Sequence, residues 1–380
     1  MGGREDRVVR KVLLVFALLA VAISAATGPG AQAMFESAAS TVKLTPDQPD
    51  DLAVAHDGDL YIADRGRNEI LEWMPSGRFR VIAGTGAVGL TGDGGPADRA
   101  ELNFPGGLVI ASSGTIYFAQ SGRYLGPISS SGGMLNTVIR EITPAGTIRT
   151  IAGIHPSCAR GAVRSIPAQS ALFYGAQLSP APGGGLAVDA GLCVNNIHDQ
   201  EFGPNLLLTS GRFVKDVSNP VPAVASIDCG SGVPGPGFHL YACSSGGGGG
   251  SDGHGPELLV VRSDGSSVAY PDNDNQSGEV AVGDGEVVVT YDGNLVRVTS
   301  SRLVPLLTSH DLVSDLHLRI RAAISGIVGL SVSASGNLYF VASILYLNRT
   351  GCQSRILELT GRGALHQIWS SSTSKNIACF

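Results

Sequence analysis

Gly58-Asp59-Leu60-Tyr61-Ile62-Ala63-Asp64, Gly114-Thr115-Ile116-Tyr117-Phe118-Ala119-Gln120 and Gly336-Asn337-Leu338-Tyr339-Phe340-Val341-Ala342 repeat one phrase. A glycine turn and one spacer lead each time into a short apolar strand with tyrosine at its second position. Weaker copies stand at Pro204-Asn205-Leu206-Leu207-Leu208, Phe238-His239-Leu240-Tyr241-Ala242 and Glu286-Val287-Val288-Val289. Self-similarity at a spacing of tens of residues marks a fold built from stacked units, each unable to bury its apolar face alone.

Outward from the first copy, Asp51-Leu52-Ala53-Val54-Ala55 precedes the phrase. Glu69-Ile70-Leu71-Glu72-Trp73 and a run from Phe79 to Ala83 follow it. Four short strands joined by tight turns make a meander. The second copy sits in the same series, and both series end alike, in Val81-Ile82-Ala83-Gly84 and Thr150-Ile151-Ala152-Gly153. A third series is read from Gly185-Leu186-Ala187-Val188-Asp189 through residues 206–209 and 213–217, and three more cover residues 224–270, 280–307 and 328–369. This predicts an all-β chain, a six-bladed β-propeller of four-stranded antiparallel blades over residues 51–372. Two stacked sandwiches, or a propeller of five or seven blades, are the alternatives. Residues 34–50 form a lead-in, with Thr41-Val42-Lys43-Leu44 as a closing strand, and residues 373–380 a C-terminal tail. Leu312, Leu316, Ile320 and Ala323 or Ile324 stand at helical spacing and predict an amphipathic helix over 311–324, packed on the propeller rim.

The 52 Gly and 20 Pro of the 380 residues fall between these β-rich runs, so they punctuate turns. With 26 basic and 32 acidic residues and no basic run, nothing supports a nucleic-acid partner. Arg4, Arg7, Arg10 and Lys11 precede an apolar run over 12–26 and an Ala31-Gln32-Ala33 end. Those are the three parts of a secretory signal segment, residues 1–33, cleaved after Ala33 or alternatively after Ala26. A membrane span needs about 20 apolar residues, so anchoring requires this segment to remain uncleaved. The expected location is extracytoplasmic, secreted or associated with the cell envelope, and the expected state a monomer.

All six cysteines lie beyond that segment, which in an exported chain favours disulfides. Placed on the repeat, Cys229 and Cys243 fall on successive strands. Cys352 and Cys379 would pin the C-terminus, leaving Cys158 with Cys193.

Residues 81–153 resemble the NHL-repeat family of propellers, of bacterial secreted type. The resemblance rests on Ile82-Ala83-Gly84-Thr85-Gly86, Thr91-Gly92-Asp93-Gly94-Gly95-Pro96-Ala97 and Ala100-Glu101-Leu102-Asn103-Phe104-Pro105-Gly106-Gly107. A degraded copy stands at Ser165-Ile166-Pro167-Ala168, with Gln177-Leu178-Ser179-Pro180 after it, and residues 61–70 look like the family's core phrase. The resemblance implies six blades and a platform that commonly binds proteins, sugars or nucleic acids. A minority of relatives are enzymes, among them a zinc lyase and calcium lactonases.

The eight histidines show no metal-ligand spacing. His198 and His239, with Asp93 in its glycine loop, are the only weak metal candidates, for calcium or zinc, and no cofactor is expected. Asp93 in such a turn reads first as a cap for backbone N–H groups. No nucleophile elbow or phosphate-binding loop is present, so no catalytic residue is assigned. Asp64, Arg65, Arg67 and Asn68 cluster at a strand exit as candidates for a binding face, or else serve turn hydrogen bonding and ion pairing between blades. The expected function is non-catalytic binding of a protein or carbohydrate outside the cytoplasm. The alternative is a metal-dependent enzyme, lyase or lactonase, with a site in the central channel.

Overall fold

The computed structural model describes residues 44–74, 76–124, 135–153, 165–170, 173–180, 186–192, 202–209, 212–215, 227–229, 233–245, 257–271, 280–283, 286–291, 293–316, 322–346 and 352–371. Of two compact units, Met1–Leu44 and Thr45–Phe380, the second carries all the described secondary structure. The signal segment, the expected closing strand up to residue 43, and the tail lie outside the described residues.

The first sheet is an antiparallel meander of β1 (Pro49–Val54), β2 (Leu60–Asp64), β3 (Glu69–Met74) and β4 (Arg78–Ala83). The second meander comprises β5 (Gly106–Ile110), β6 (Ile116–Tyr124), β7 (Leu135–Ile142) and β8 (Ile148–Ala152). After β9 (Ser165–Pro167) comes a third, of β10 (Phe173–Pro180), β11 (Leu186–Leu192), β12 (Phe202–Thr209) and β13 (Arg212–Lys215). One pairing, Phe173 with Thr137, joins it to the second in a nine-stranded sheet, and β9 closes its outer edge on β13.

In the next sheet β14 (Ile227–Cys229) and β15 (Val233–Gly235) both pair β16 (Phe238–Ser245), followed by β17 (Glu257–Arg262) and β18 (Ser267–Pro271). The last two meanders are β19 (Val280–Gly283), β20 (Glu286–Tyr291), β21 (Asn294–Val298), β22 (Leu303–Leu307), and β23 (Ala322–Val332), β24 (Leu338–Tyr346), β25 (Cys352–Leu359), β26 (Leu365–Ser370). First strands run beside one another: β1 lies against β5 and β23, β5 against β10, and β19 against β23. Meanders arranged around their own first strands are a β-propeller.

Packing follows from strand alternation, which sends every second side chain toward a neighbouring sheet. Ile70 and Ala53 of the first sheet meet Ile116 and Phe118 of the second, and Val287 and Val289 meet Leu240 and Val260. Each such fully buried side chain contributes about 2 kcal/mol, so the sheets are held face to face by apolar burial. The repeated ending has a steric reason. At φ 97° and 85°, Gly84 and Gly153 sit where a Cβ would lie 2.4 Å from the Asn68 carbonyl oxygen and 2.2 Å from that of Thr137.

The repeated tyrosine does more than pack. Tyr61, Glu72 and Arg80 stand side by side across β2, β3 and β4, as do Tyr117, Glu141 and Arg149 across β6, β7 and β8. Arg80 and Arg149 are ion-paired to the buried glutamates. In the last meander His366 takes the arginine's place in register, and Glu358 instead accepts hydrogen bonds from Tyr339 Oη and Asn337 Nδ2, both at 2.8 Å.

The expected third unit is displaced by one strand: residues 173–180 provide its first strand, and the weak copy at 204–208 lies in its third. The helix is shorter than its period suggests. α1 (Ser309–Asp315) is closed at its start by a reciprocal Thr308–Asp311 capping box, and Ala323 and Ile324 belong to β23. Leu312 is fully buried against Leu338 and Phe340, with Leu316 beside it, so the helix packs on the last sheets. No helix among the described residues is long and apolar enough to cross a membrane.

Candidate functional site

Three of the four strand-exit residues build the turn after β2. Asp64 is fully buried and accepts backbone N–H groups from Asp47 at 2.7 Å, Gln48 at 3.0 Å and Arg67 at 3.2 Å. Burial pushes its carboxyl above the usual carboxylate range, and those three N–H groups pull it partly back. Arg67 pairs with Glu69 at 2.6 Å. Asn68 holds a left-handed backbone at φ 53°, and its Oδ1 accepts the N–H of Phe104 at 3.0 Å. These interactions are the turn-building role weighed for them from the sequence.

Arg65, half-exposed like Arg67, is not tied into the turn by a side-chain hydrogen bond among the described residues. Its guanidinium carbon stands 5.0 Å above the centre of the Phe104 ring, and its Nη1 lies 3.9 Å from Asp50 Oδ1. Among the described residues the guanidinium donates no hydrogen bond. Phe104 is unusual twice over: its backbone is left-handed at φ 48°, and the residue is 43 % exposed. A bulky residue in that region is a steric outlier.

Asp50 completes the cluster, near the start of the axial strand β1. Its neighbour Asp51 is committed to the frame, accepting the Leu52 N–H at 2.7 Å and the Leu108 N–H at 2.5 Å across to β5. Asp50 accepts no hydrogen bond among the described residues. Burial pushes its carboxyl up, with Arg65 pulling it partly back. Gly106 opens β5 next to it: a Cβ there would lie 2.9 Å from Asp50 Oδ2, so glycine keeps that approach clear. The cluster thus presents a partly buried carboxyl, accepting no hydrogen bond among the described residues, beside a cation seated on a ring, at one end of two axial strands.

Asp93 is engaged in an ion pair in place of capping turn N–H groups. It pairs at 2.6 Å with Arg140, a fully buried side chain that also donates to the carbonyls of Thr91 and Glu101. Arg140 reaches from β7 into the glycine loop and fastens it. His239 lies on β16 with Tyr241 as its ring neighbour, the centroids 6.5 Å apart, and His198 lies outside the described residues. No three His, Cys, Asp or Glu side chains among the described residues converge where they could hold a metal ion. The described residues therefore do not fit a zinc or calcium centre.

Cys229 and Cys243 are direct register partners of β14 and β16, as the hairpin placement predicts. Cys352 is disulfide-bonded. Cys158, Cys193 and Cys379 lie outside the described residues.

Sequence reasoning passed over Asp50 and Phe104. Asp50 was hidden as the last residue of a lead-in. Phe104 carried a signal, an aromatic in a polar loop directly before Pro105-Gly106-Gly107, but its partners stand 36 and more residues away.

No family model and no curated protein matches the chain. Among solved structures it is similar to a streptogramin B lyase, with 12% identity, a TM-score of 0.43, and coverage of 86% of this chain and 84% of that one. It is also similar to virginiamycin B lyase from Staphylococcus aureus, with 12% identity, a TM-score of 0.42, and coverage of 84% and 83%. A third is the PQQ-bound aldose sugar dehydrogenase from Streptomyces coelicolor, with 14% identity, a TM-score of 0.40, and coverage of 80% and 90%. These neighbours are named as enzymes and give the expectation of a non-catalytic binding propeller no support. Such distant likenesses lend the chain no reaction, substrate or cofactor. The resemblance to NHL repeats stands only at the coarser level of a β-propeller.

Proposed function

We propose that the protein is an exported propeller enzyme, six-bladed and of NHL type, with Asp50 as its acid–base group and Arg65 as its stabiliser of negative charge. The observation that carries this reading is the Asp50–Arg65 pair. A carboxyl raised by desolvation, accepting no hydrogen bond among the described residues and lying beside a glycine, is suited to take up and return a proton. The guanidinium beside it stands where it would meet an oxygen gaining charge. Proton abstraction in a lyase and water activation in a lactonase both need this minimum of one base and one cation. No step is routed through a metal.

Support for six blades comes from six first-strand regions, those of β1, β5, β10, β14 with β15, β19 and β23. Export rests on the charged, apolar and Ala-x-Ala parts of residues 1–33. The test is turnover of a panel of lactones and cyclic depsipeptides by the purified chain, followed by proton release or ring opening. Turnover by the wild type that Asp50→Asn abolishes supports the reading. No turnover across both classes, or an unaffected Asp50→Asn variant, refutes it.

A further inference from the structure

Arg65 and Phe104 are built for one another at a cost to the backbone. Phe104 keeps a left-handed conformation that an L side chain with a Cβ adopts only under constraint. Three features supply that constraint. Asn68 Oδ1 holds the Phe104 N–H, Asn68 is itself left-handed, and the Asn68 carbonyl is boxed in by Gly84. The core gains little in return, since Phe104 is 43 % exposed and belongs to none of the apolar clusters between sheets formed by the described residues. What the strain secures is the place of an aromatic face 5.0 Å beneath a guanidinium.

A cation held over a ring is fixed in position without spending its N–H donors. Those of Arg65 are unspent among the described residues, because Asp50 at 3.9 Å is too distant to accept a hydrogen bond. The result is a planar donor fork, pre-organised and open to solvent, the geometry that binds carboxylate or phosphate through two parallel hydrogen bonds. The surroundings choose between those anions. Asp50 stands 3.9 Å from the guanidinium, and the buried Asp64, which accepts the Asp47 N–H, belongs to the same turn. A dianion would meet strong repulsion there, and a monoanion less.

We propose that Arg65, seated on Phe104, binds a monocarboxylate whose ring or apolar body lies along the exposed part of Phe104. Phe104 acts as a positioning residue. This inference rests on the site of the proposed function and deepens it by naming the ligand class.

The test is binding of benzoate, acetate and inorganic phosphate to the full chain, by calorimetry and by NMR line broadening of the ligand, with melting temperatures recorded in parallel. Benzoate is expected to saturate in about the millimolar range, as suits one fork and one ring contact, ahead of acetate and of phosphate. Arg65→Ala should abolish saturation. Phe104→Gly should weaken benzoate by about threefold to tenfold while leaving the melting temperature unchanged or higher, because glycine accepts the left-handed backbone. Phe104→Leu, which retains the backbone penalty and removes the ring face, should weaken binding as much without the thermal gain. Unsaturable benzoate, tighter phosphate, or binding indifferent to Arg65 and Phe104 overturns the proposal. Benzoate binding without turnover of any substrate would sink the enzyme reading alone. Turnover that needs Asp50, with benzoate indifferent to Arg65, would sink this one alone.

Discussion

Asn68 Oδ1 accepts the backbone N–H of Phe104 at 3.0 Å, tying the turn after β2 to the segment that enters β5. Both residues hold left-handed backbone, so one hydrogen bond fastens two strained positions. Asn68→Ala loses the bond and adds a steric penalty, for a combined cost of about 2 kcal/mol. Asn68→Gly loses only the bond and should cost about 1 kcal/mol. Urea unfolding of the two variants checks the order, and equal losses would remove the strain from the account.

Gly84 and Gly153 should be the least replaceable of the turn glycines. Alanine at either adds left-handed strain and drives a Cβ into a backbone carbonyl, which predicts a loss of about 3 kcal/mol. Gly77, also left-handed but with open space around its Cβ position, should lose only about 1 kcal/mol. Three urea midpoints decide it.

The Asp93–Arg140 pair gives an asymmetric prediction. Asp93→Ala leaves a fully buried guanidinium without its counter-charge, whereas Arg140→Met leaves a carboxylate that water already reaches. Asp93→Ala should therefore be the more destabilising, at about 3 kcal/mol, and the double variant should fall short of the sum by about 1–2 kcal/mol. A double-mutant cycle in unfolding free energy reads this directly.

Tyr339 sets an alkaline limit. Burial, then the hydrogen bond to Glu358, pushes its hydroxyl up to about 12. The unfolded chain loses that proton from about pH 10 upward while the folded protein keeps it. The contribution is thus complete below pH 10 and disappears as pH climbs through the folded value. Melting temperature against pH should fall more steeply for the wild type than for Tyr339→Phe between those two pH values. Parallel curves would contradict the assignment.

The local parts of the fold were legible because their signals are local. Tyr61, Tyr117 and Tyr339 mark second strands, and the words around Gly84 and Gly153 recur because the same close approach recurs. The third meander was misframed because its first strand, residues 173–180, lacks strict alternation, while the apolar run at 206–208 imitates a second strand. Ala323 and Ile324 fit a helical spacing by chance, since a short apolar run satisfies both periods and only its partner strand decides. The site was least legible. Asp64, Arg65, Arg67 and Asn68 form one surface string in the sequence, yet three of them are spent on the turn, and the partners that isolate Arg65 are Phe104 and Asp50. Contacts that long in sequence leave no periodic trace.

Asp50→Asn, measured at once for turnover and for unfolding, tests the central claim most directly. Burial raises the Asp50 carboxyl, so the folded state gains from its proton below the unfolded pKa and forfeits that gain as pH rises through the folded one. At neutral pH the neutral amide should raise the urea midpoint, while turnover of lactone or depsipeptide falls by about a hundredfold or more. A lower midpoint with turnover preserved would contradict the account, because Asp50 would then be one more residue that builds the frame.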